Sequence, residues 1–146
     1  MKKKSDRLKI VLDLAARKEQ SAMEVLAKKR RYRDEQLGQI DNLKQYHTQY
    51  LDDMKQDLSQ VHNAVSLQAS LHFLGQIDAA INQQEDVLKI AEQEFSKAMQ
   101  EWMFLHQKRK GMADLIHNYK KQEMHLADKK EQQQIESDLL SRRFRN

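Results

Sequence analysis

Residues 74–119 decide the fold of this chain, and they read LGQIDAAINQQEDVLKIAEQEFSKAMQEWMFLHQKRKGMADLIHNY. Apolar residues recur through this stretch at alternating spacings of three and four, with polar and charged residues between them. The pattern continues for about nine heptads, which is typical of a helix that keeps one face against a partner helix in a coiled coil. This apolar seam consists of Leu74, Ile77, Ile81, Leu88, Ala91, Phe95, Ala98, Trp102, Leu105, Met112, Ile116, Tyr119, Leu126 and Leu140.

The composition favours long helices over a compact layered domain. The 146 residues include no proline, whereas average usage of about 5% predicts roughly seven. Charged residues make up 33% of the chain and glycine occurs three times. We therefore expect one coiled-coil domain over residues 1–146.

The absence of cysteine excludes disulfides, thiol nucleophiles and cysteine zinc sites, and it suits a reducing compartment. The basic start, Met1–Lys4, is not followed by the apolar segment of a signal peptide. No apolar run approaches the roughly 20 residues of a membrane span. We expect a cytoplasmic protein.

The first half of the chain carries the same seam more weakly. Its apolar members are Leu8, Leu12, Ala15, Ala22, Leu26, Ile40, Leu43, Tyr50 and Met54. Five seam positions hold polar residues instead, namely Glu19, Lys29, Arg33, Gln36 and His47. Long cationic side chains can lie along an apolar surface while the charge stays in water, so the seam persists with looser packing.

These patterns predict an all-α fold, with two long helices in an antiparallel coiled-coil hairpin. The predicted helices span about residues 5–57 and 70–141, with a turn over about 58–69. A reversal near residue 64 makes the numbers of facing residues add up to about 128. Residues beyond about 123 then have no partner within the chain, and the overhang from Glu123 to Leu140 is roughly 27 Å long.

The distribution of charge supports the hairpin. Residues 1–33 carry a net charge of +8, residues 34–107 carry −8 and residues 108–146 carry +4. Folding near residue 64 brings the two basic segments to one end and leaves the turn end acidic. The electrostatic field of such a charge distribution orients a binding partner as it approaches more than it sets the affinity of the complex.

The sequence contains no pattern expected of an enzyme, cofactor site or metal site. The glycines form no phosphate-binding loop, and the histidines lack the spacing of metal ligands. We therefore predict no catalytic residues, cofactor, metal or small-molecule substrate. The basic run Lys28–Arg33, with Tyr32 for stacking, leaves nucleic acid as an alternative ligand. The acidic middle of the chain argues against it.

Several segments resemble the flagellar FliJ family, in an order that covers nearly the whole chain. The opening part has Arg7-Leu8, Leu12, Leu14, Ala15 and Glu19, followed by Ala22 and Leu26. The later parts are Leu43-x-x-Tyr46-x-x-x-Tyr50, Phe73-x-x-x-Ile77 with Ala80, Trp102, and the run from Glu131 to Glu136.

The resemblance implies a stalk-like component of the flagellar type III export apparatus. Its paired termini insert into a hexameric export ATPase, its side near the turn contacts the export gate protein FlhA, and it escorts export chaperones at the inner face of the cell membrane. The implied gate-contact set is Gln39, Leu43, Tyr46, Tyr50, Phe73, Ile77 and Ala80. The implied ATPase-contact set is Arg7, Leu8, Leu12, Leu14, Glu131, Gln132, Ile135 and Glu136.

Two positions depart from the family pattern. Glu136-Ser137 stands where the family has an acidic pair, and Gln84 occupies the next gate-side position. The sequence is also compatible with another role. The protein could be a self-associating structural coiled coil in which the overhangs of two molecules pair through Leu126 and Leu140.

Overall fold

The computed structural model describes residues 3–57 and 64–145, which form two α-helices packed against each other as an all-α hairpin. Helix α1 spans Lys4–Asp57 and helix α2 spans Ala64–Arg145, with 54 and 82 residues respectively. Helices of this length fit a chain without proline in which alanine, leucine, lysine, glutamate and glutamine are frequent. The predicted fold class is confirmed.

The helix bounds agree with the prediction in α1 and differ in α2. Helix α2 begins at Ala64, so residues 64–69 are helical and not part of a turn. Residues 64–69 contain no charged side chain, but alanine, leucine and glutamine favour a helix, serine is only mildly unfavourable within one, and the first glycine of this segment is Gly75. The rest of the predicted turn, residues 58–63, lies outside the described residues. Helix α2 also continues to Arg145, beyond the predicted end near residue 141.

The chain divides into two compact units. The terminal unit contains Met1–Ser21 and Met103–Asn146, and the central unit contains Ala22–Trp102. A single coiled-coil domain over residues 1–146 stays a prediction.

The core of the central unit is formed by seam residues from both helices. The buried apolar side chains there are Ala22, Leu26, Ile40, Leu74, Ile77, Ala91 and Ala98. In the described part of the terminal unit, Ile116 is the buried apolar side chain, and Ser5 is a buried polar residue. The seam therefore faces inward where two helices are present, and more apolar surface is buried in the central unit.

Polar residues on the α1 seam meet polar partners on α2. Gln36, only 8% exposed, accepts a hydrogen bond from the side-chain amide of Gln84. Lys29 Nζ lies 3.1 Å from Glu94 Oε2. His47 Nε2 lies 3.0 Å from Asp78 Oδ1. These positions interrupt the apolar pattern without interrupting the packing.

Arg33, another seam position, lies over an aromatic ring. Its guanidinium carbon is 4.5 Å from the centroid of the Phe95 ring, and that of Arg30 is 5.8 Å away. Arg33 also donates to Asp34 Oδ1 at 2.8 Å. The expected packing of a cationic side chain along the seam thus includes a cation–π contact.

Replacing Gly38 by alanine should stabilise the protein. Gly38 lies within α1, its φ is not positive, and an added Cβ would meet no atom within 4 Å. Alanine is favoured over glycine within helices by about 1 kcal/mol. We expect Gly38→Ala to raise the free energy of unfolding by about that amount in urea titrations. The converse change at an exposed position of the same helix, Ala27→Gly, should lower it similarly. Equal stability of Gly38→Ala and wild type would contradict this expectation.

Candidate functional site

An aromatic cluster forms where the two helices of the central unit meet. The Phe73 ring of α2 lies edge-on to Tyr46, with centroids 6.1 Å apart and an angle of 83° between ring planes. The Tyr50 ring is 4.8 Å away and tilted by 55°. Tyr46 and Tyr50 share one side of α1 because residues four apart are neighbours on a helix. Tyr46 remains 50% exposed, so the cluster offers an aromatic surface to a partner.

The other members of the gate-contact set lie in the same unit with different exposure. Gln39 is exposed, and Leu43 and Ala80 are half-buried. Ile77 is 5% exposed and belongs to the core, where it supports the surface. The structure thus brings Tyr46, Tyr50 and Phe73 into contact. Their role in gate binding stays a prediction.

The ATPase-contact set lies in the terminal unit and falls into two groups. On α1, Leu8 and Leu12 are half-buried, whereas Arg7 and Leu14 are exposed. On α2, the exposed members are Glu131, Gln132, Ile135 and Glu136. The α2 members lie beyond Glu123, which is the level reached by the start of α1. The structure does not bring the two groups into contact, and their role stays a prediction.

The last 22 described residues of α2, 124–145, form a helical overhang in which every residue is exposed. Within the described residues, the expected overhang beyond about residue 123 is present. At 3.6 residues per turn, Leu126, Leu140 and Phe144 continue the seam, whereas Ile135 and Leu139 lie on the opposite side. The exposed fractions of these five residues range from 54% to 84%. Apolar side chains therefore project from two sides of the overhang.

The start of the overhang is marked by a contact between the helices of the terminal unit. Ser5 Oγ donates to Glu123 Oε2 at 2.7 Å, and the Ser5 backbone N–H donates to Oε1 at 3.3 Å. These hydrogen bonds favour the carboxylate and hold the pKa of Glu123 below its ordinary value. One turn away, Lys4 Nζ lies 4.9 Å from the centroid of the Tyr119 ring.

A second carboxylate joins the helices of the same unit at a seam position. Glu19 accepts a hydrogen bond from His106 Nδ1 at 2.8 Å and another from Arg109 Nε. The bond from His106, aided by the hydrogen bond and charge of Arg109, lowers the pKa of Glu19 although burial opposes the shift. Sequence reasoning treated Glu19 as an interruption of the seam. Its position opposite His106 and Arg109 on the facing helix was the available signal.

The basic run Lys28–Arg33 is engaged in part with its own chain. Lys29 pairs with Glu94, and Arg30 and Arg33 lie near Phe95. Tyr32 remains 43% exposed. These contacts account for three of the cations without a nucleic-acid ligand.

The described residues contain no group of three or more histidine, cysteine, aspartate or glutamate side chains that could hold a metal ion. Over residues 3–57 and 64–145, neither helix has a stretch long and apolar enough to cross a membrane.

Comparison with known proteins assigns a family to nearly the whole chain. The family model for the flagellar FliJ protein matches residues 3–146. No curated protein and no solved structure matches the chain. The family match confirms the resemblance inferred from the sequence.

The Glu19 cluster should make stability depend on pH on the acid side. The folded-state pKa of Glu19 lies below the ordinary value of 4.5, so its contribution is complete above that value and is lost as the pH falls through the folded pKa. We expect wild type to lose more unfolding free energy than Glu19→Gln between pH 6 and pH 3, as measured by urea titration at each pH. Glu24→Gln, an exposed change on α1, should keep the wild-type profile. Parallel profiles for wild type and Glu19→Gln would contradict this assignment.

Proposed function

The chain belongs to the flagellar FliJ family, and on this basis we propose that it is a non-enzymatic coiled-coil component that links the hexameric export ATPase to the export gate. The family places it among the components of the flagellar protein export apparatus. The finer roles proposed are insertion of the termini into the ATPase and contact of the central unit with FlhA. Escort of export chaperones, and a cytoplasmic location at the inner face of the membrane, complete the proposal.

The overhang is the observation that most supports an ATPase contact. A single helix of 22 residues gains little stability in water without packing. Its apolar side chains project from two sides, so a partner on one side leaves the other exposed to water. A cavity that surrounds the helix covers both sides, and the centre of a hexameric ring has this form.

The charge of the terminal unit is compatible with binding inside an acidic cavity. Its two segments together carry 17 basic and 9 acidic residues, a net charge of +8. The overhang itself ends in Arg142, Arg143 and Arg145. An oppositely charged ring opening would accelerate encounter and orient the helix on entry.

This chain can promote assembly of the ATPase ring if its affinity for the assembled ring differs from its affinity for free subunits. A protein that binds the assembled ring better than free ATPase subunits shifts the assembly equilibrium by the difference in binding free energy. The ring in turn stabilises the helical overhang by mass action. No reaction catalysed by this chain is required for this role.

The aromatic cluster supports a gate contact in the central unit. Tyrosine rings at protein interfaces bury large apolar area while the hydroxyl remains available for hydrogen bonding. Tyr46 is half-exposed and is held in place by Phe73, so little side-chain entropy is lost when a partner covers it.

Self-association is the second candidate function. Leu126 and Leu140 on the seam side of the overhang are 59% and 54% exposed, which favours pairing between two copies. Sedimentation equilibrium discriminates the two functions, because a stable dimer at micromolar concentration supports self-association and a monomer supports the stalk.

The ATPase contact predicts saturable stimulation of the cognate export ATPase. We expect ATP hydrolysis to rise on titration with the full chain and not with a chain lacking residues 124–146. If the overhang is surrounded, Leu126→Glu with Leu140→Glu and Ile135→Glu with Leu139→Glu should each reduce stimulation at least tenfold. Helical content and the unfolding midpoint serve as controls, because all four residues lie outside the paired helices.

Loss of stimulation in only one of these two double variants would show a one-sided contact and contradict insertion into a ring. Full stimulation by the truncated chain would exclude the overhang as the ATPase contact.

The gate contact predicts that Tyr46→Ala weakens binding to purified FlhA about tenfold, since a tyrosine at the centre of an interface commonly contributes this much. Calorimetric titration provides the affinity. Leu71→Ala is the matched control, because Leu71 is 53% exposed on the neighbouring helix and lies outside the cluster. Unchanged affinity of a folded Tyr46→Ala variant would remove the aromatic cluster from the gate interface.

A further inference from the structure

A small groove of about 70 Å³ opens between the two helices of the terminal unit. Its apolar lining includes Val11 and Leu14 from α1, and Leu105 and Met112 from α2. Val11 and Leu14 are 45% and 53% exposed, and neither belongs to the seam. The pairing of α1 with α2 therefore leaves this apolar surface open to water.

Hydrogen bonds between the helices define which residues of the terminal unit face each other. Ser5 bonds to Glu123 and Glu19 bonds to His106, so the numbers of facing residues add up to between 125 and 128. The resulting level pairs are Val11 with Leu115, Leu14 with Met112, and Lys18 with Lys108. Two apolar levels are therefore followed by a level at which each helix contributes a lysine.

Two further apolar residues extend the surface of the groove on α2. Leu115 follows Met112 by three residues and Lys108 by seven, so it lies on the same side of the helix. Phe104 precedes Lys108 by four residues and adjoins it in the same way. Leu115 is 41% exposed and Phe104 is 61% exposed. Exposed apolar side chains that adjoin one another in this way mark an interaction site in soluble proteins.

The charged residues that line the groove are both cationic, namely Lys18 and Lys108. Neither has an ion-pair partner among the residues that the structure describes. The nearest carboxylate along α2, that of Glu101, belongs to the central unit. The groove thus combines an apolar floor with two lysines that are available to an anionic partner.

The acidic residues on the paired helices of the terminal unit lie away from the groove. Asp6 and Asp13 are roughly 140–160° around α1 from Val11. On α2, Asp114 is roughly 160° around the helix from Met112. The carboxylates of Glu19 and Glu123 are hydrogen-bonded across the seam. The groove is therefore complementary to negative charge on a partner.

We propose that this groove binds an amphipathic helix of a partner protein whose apolar face is flanked by acidic residues. An apolar side chain of the partner packs against Val11 and Met112, and its carboxylates pair with Lys18 and Lys108. A helix in the groove contacts both α1 and α2. The seven-residue spacing from Val11 to Lys18, and from Lys108 to Leu115, is the repeat that a third coiled-coil helix matches.

An anionic membrane is another class of partner that combined apolar and basic residues attract. A bilayer takes up apolar side chains that protrude from a surface. Here the apolar side chains line a depression between two helices. A helix fills such a depression and touches both of its walls, so the shape of the groove favours a protein partner.

This inference goes beyond the proposed ATPase contact and does not depend on it. Of the residues that line the groove, only Leu14 belongs to the ATPase-contact set, and the overhang takes no part. In the full chain, Leu126→Glu with Leu140→Glu should therefore bind an acidic helix as wild type does, whatever its effect on the ATPase.

The test is a fluorescence anisotropy titration of the full chain against two labelled synthetic helices of about four turns each. Both helices carry leucine along one face. The flanks of that face are glutamate in one helix and lysine in the other. We expect saturable binding of the glutamate-flanked helix, about tenfold tighter than that of the lysine-flanked helix.

Val11→Glu should weaken binding of the glutamate-flanked helix about tenfold, because it places a carboxylate within the groove. Its matched control is Ile10→Glu, since Ile10 is 64% exposed on the same helix and does not line the groove. Ile10→Glu should bind as wild type. Both variants should keep the helical content of wild type, because both positions are exposed.

Lys18→Glu with Lys108→Glu should reverse the preference, so that the lysine-flanked helix binds more tightly than the glutamate-flanked one. The control is Lys9→Glu with Lys110→Glu, which changes the net charge of the chain equally. These two lysines lie roughly 160° around their helices from Val11 and Met112. The control should retain the preference of wild type for glutamate.

Absence of saturable binding to the glutamate-flanked helix overturns the inference. Equal loss in the groove variants and their controls also overturns it, because the attraction then comes from the net charge of the terminal unit. Vesicles of phosphatidylglycerol and phosphatidylcholine test the membrane. If wild type binds these vesicles, Val11→Glu does not, and neither helix binds, the groove is a membrane contact and the inference fails.

Discussion

Pairing of polar side chains across the seam is the constraint on which the arrangement of the two helices depends. A polar group removed from water without a partner costs free energy, so Gln36 must meet Gln84 and Glu19 must meet Arg109. Apolar residues alone tolerate a shift of one heptad, because leucine and alanine pack acceptably against several neighbours. A shift would separate each of these polar pairs. The polar positions therefore fix the register of α1 against α2. This register also places Tyr46 beside Phe73.

The two units hold their helices together by different means. In the central unit, leucine, isoleucine and alanine side chains are buried at the seam. In the terminal unit, the described contacts include two carboxylates of lowered pKa, Glu19 and Glu123. Burial of apolar surface is insensitive to pH and salt by comparison with charge-assisted hydrogen bonds. Conditions that protonate carboxylates are therefore expected to act first on the terminal unit.

Much of the fold follows from the spacing of apolar residues, whereas side-chain partners follow only in part. The seam predicts two helices that pack against each other and a helical overhang beyond about residue 123. The prediction starts α2 too late because residues 64–69 lack the charged residues that accompany the seam elsewhere. The Ser5–Glu123 and Arg33–Phe95 contacts were missed because they depend on rotamers, which heptad spacing does not specify.

The overhang also bears on the lifetime of the chain. Lys129, Lys130, Arg142 and Arg143 are exposed on a helix that no second helix covers. Single helices open locally at low free-energy cost, and a protease that cleaves after basic residues acts on the opened segment. Occupancy by a partner would suppress that opening. Molecules synthesised in excess of their binding partners would thus be trimmed from the C-terminal end, and degradation would adjust their abundance to the number of assembled complexes.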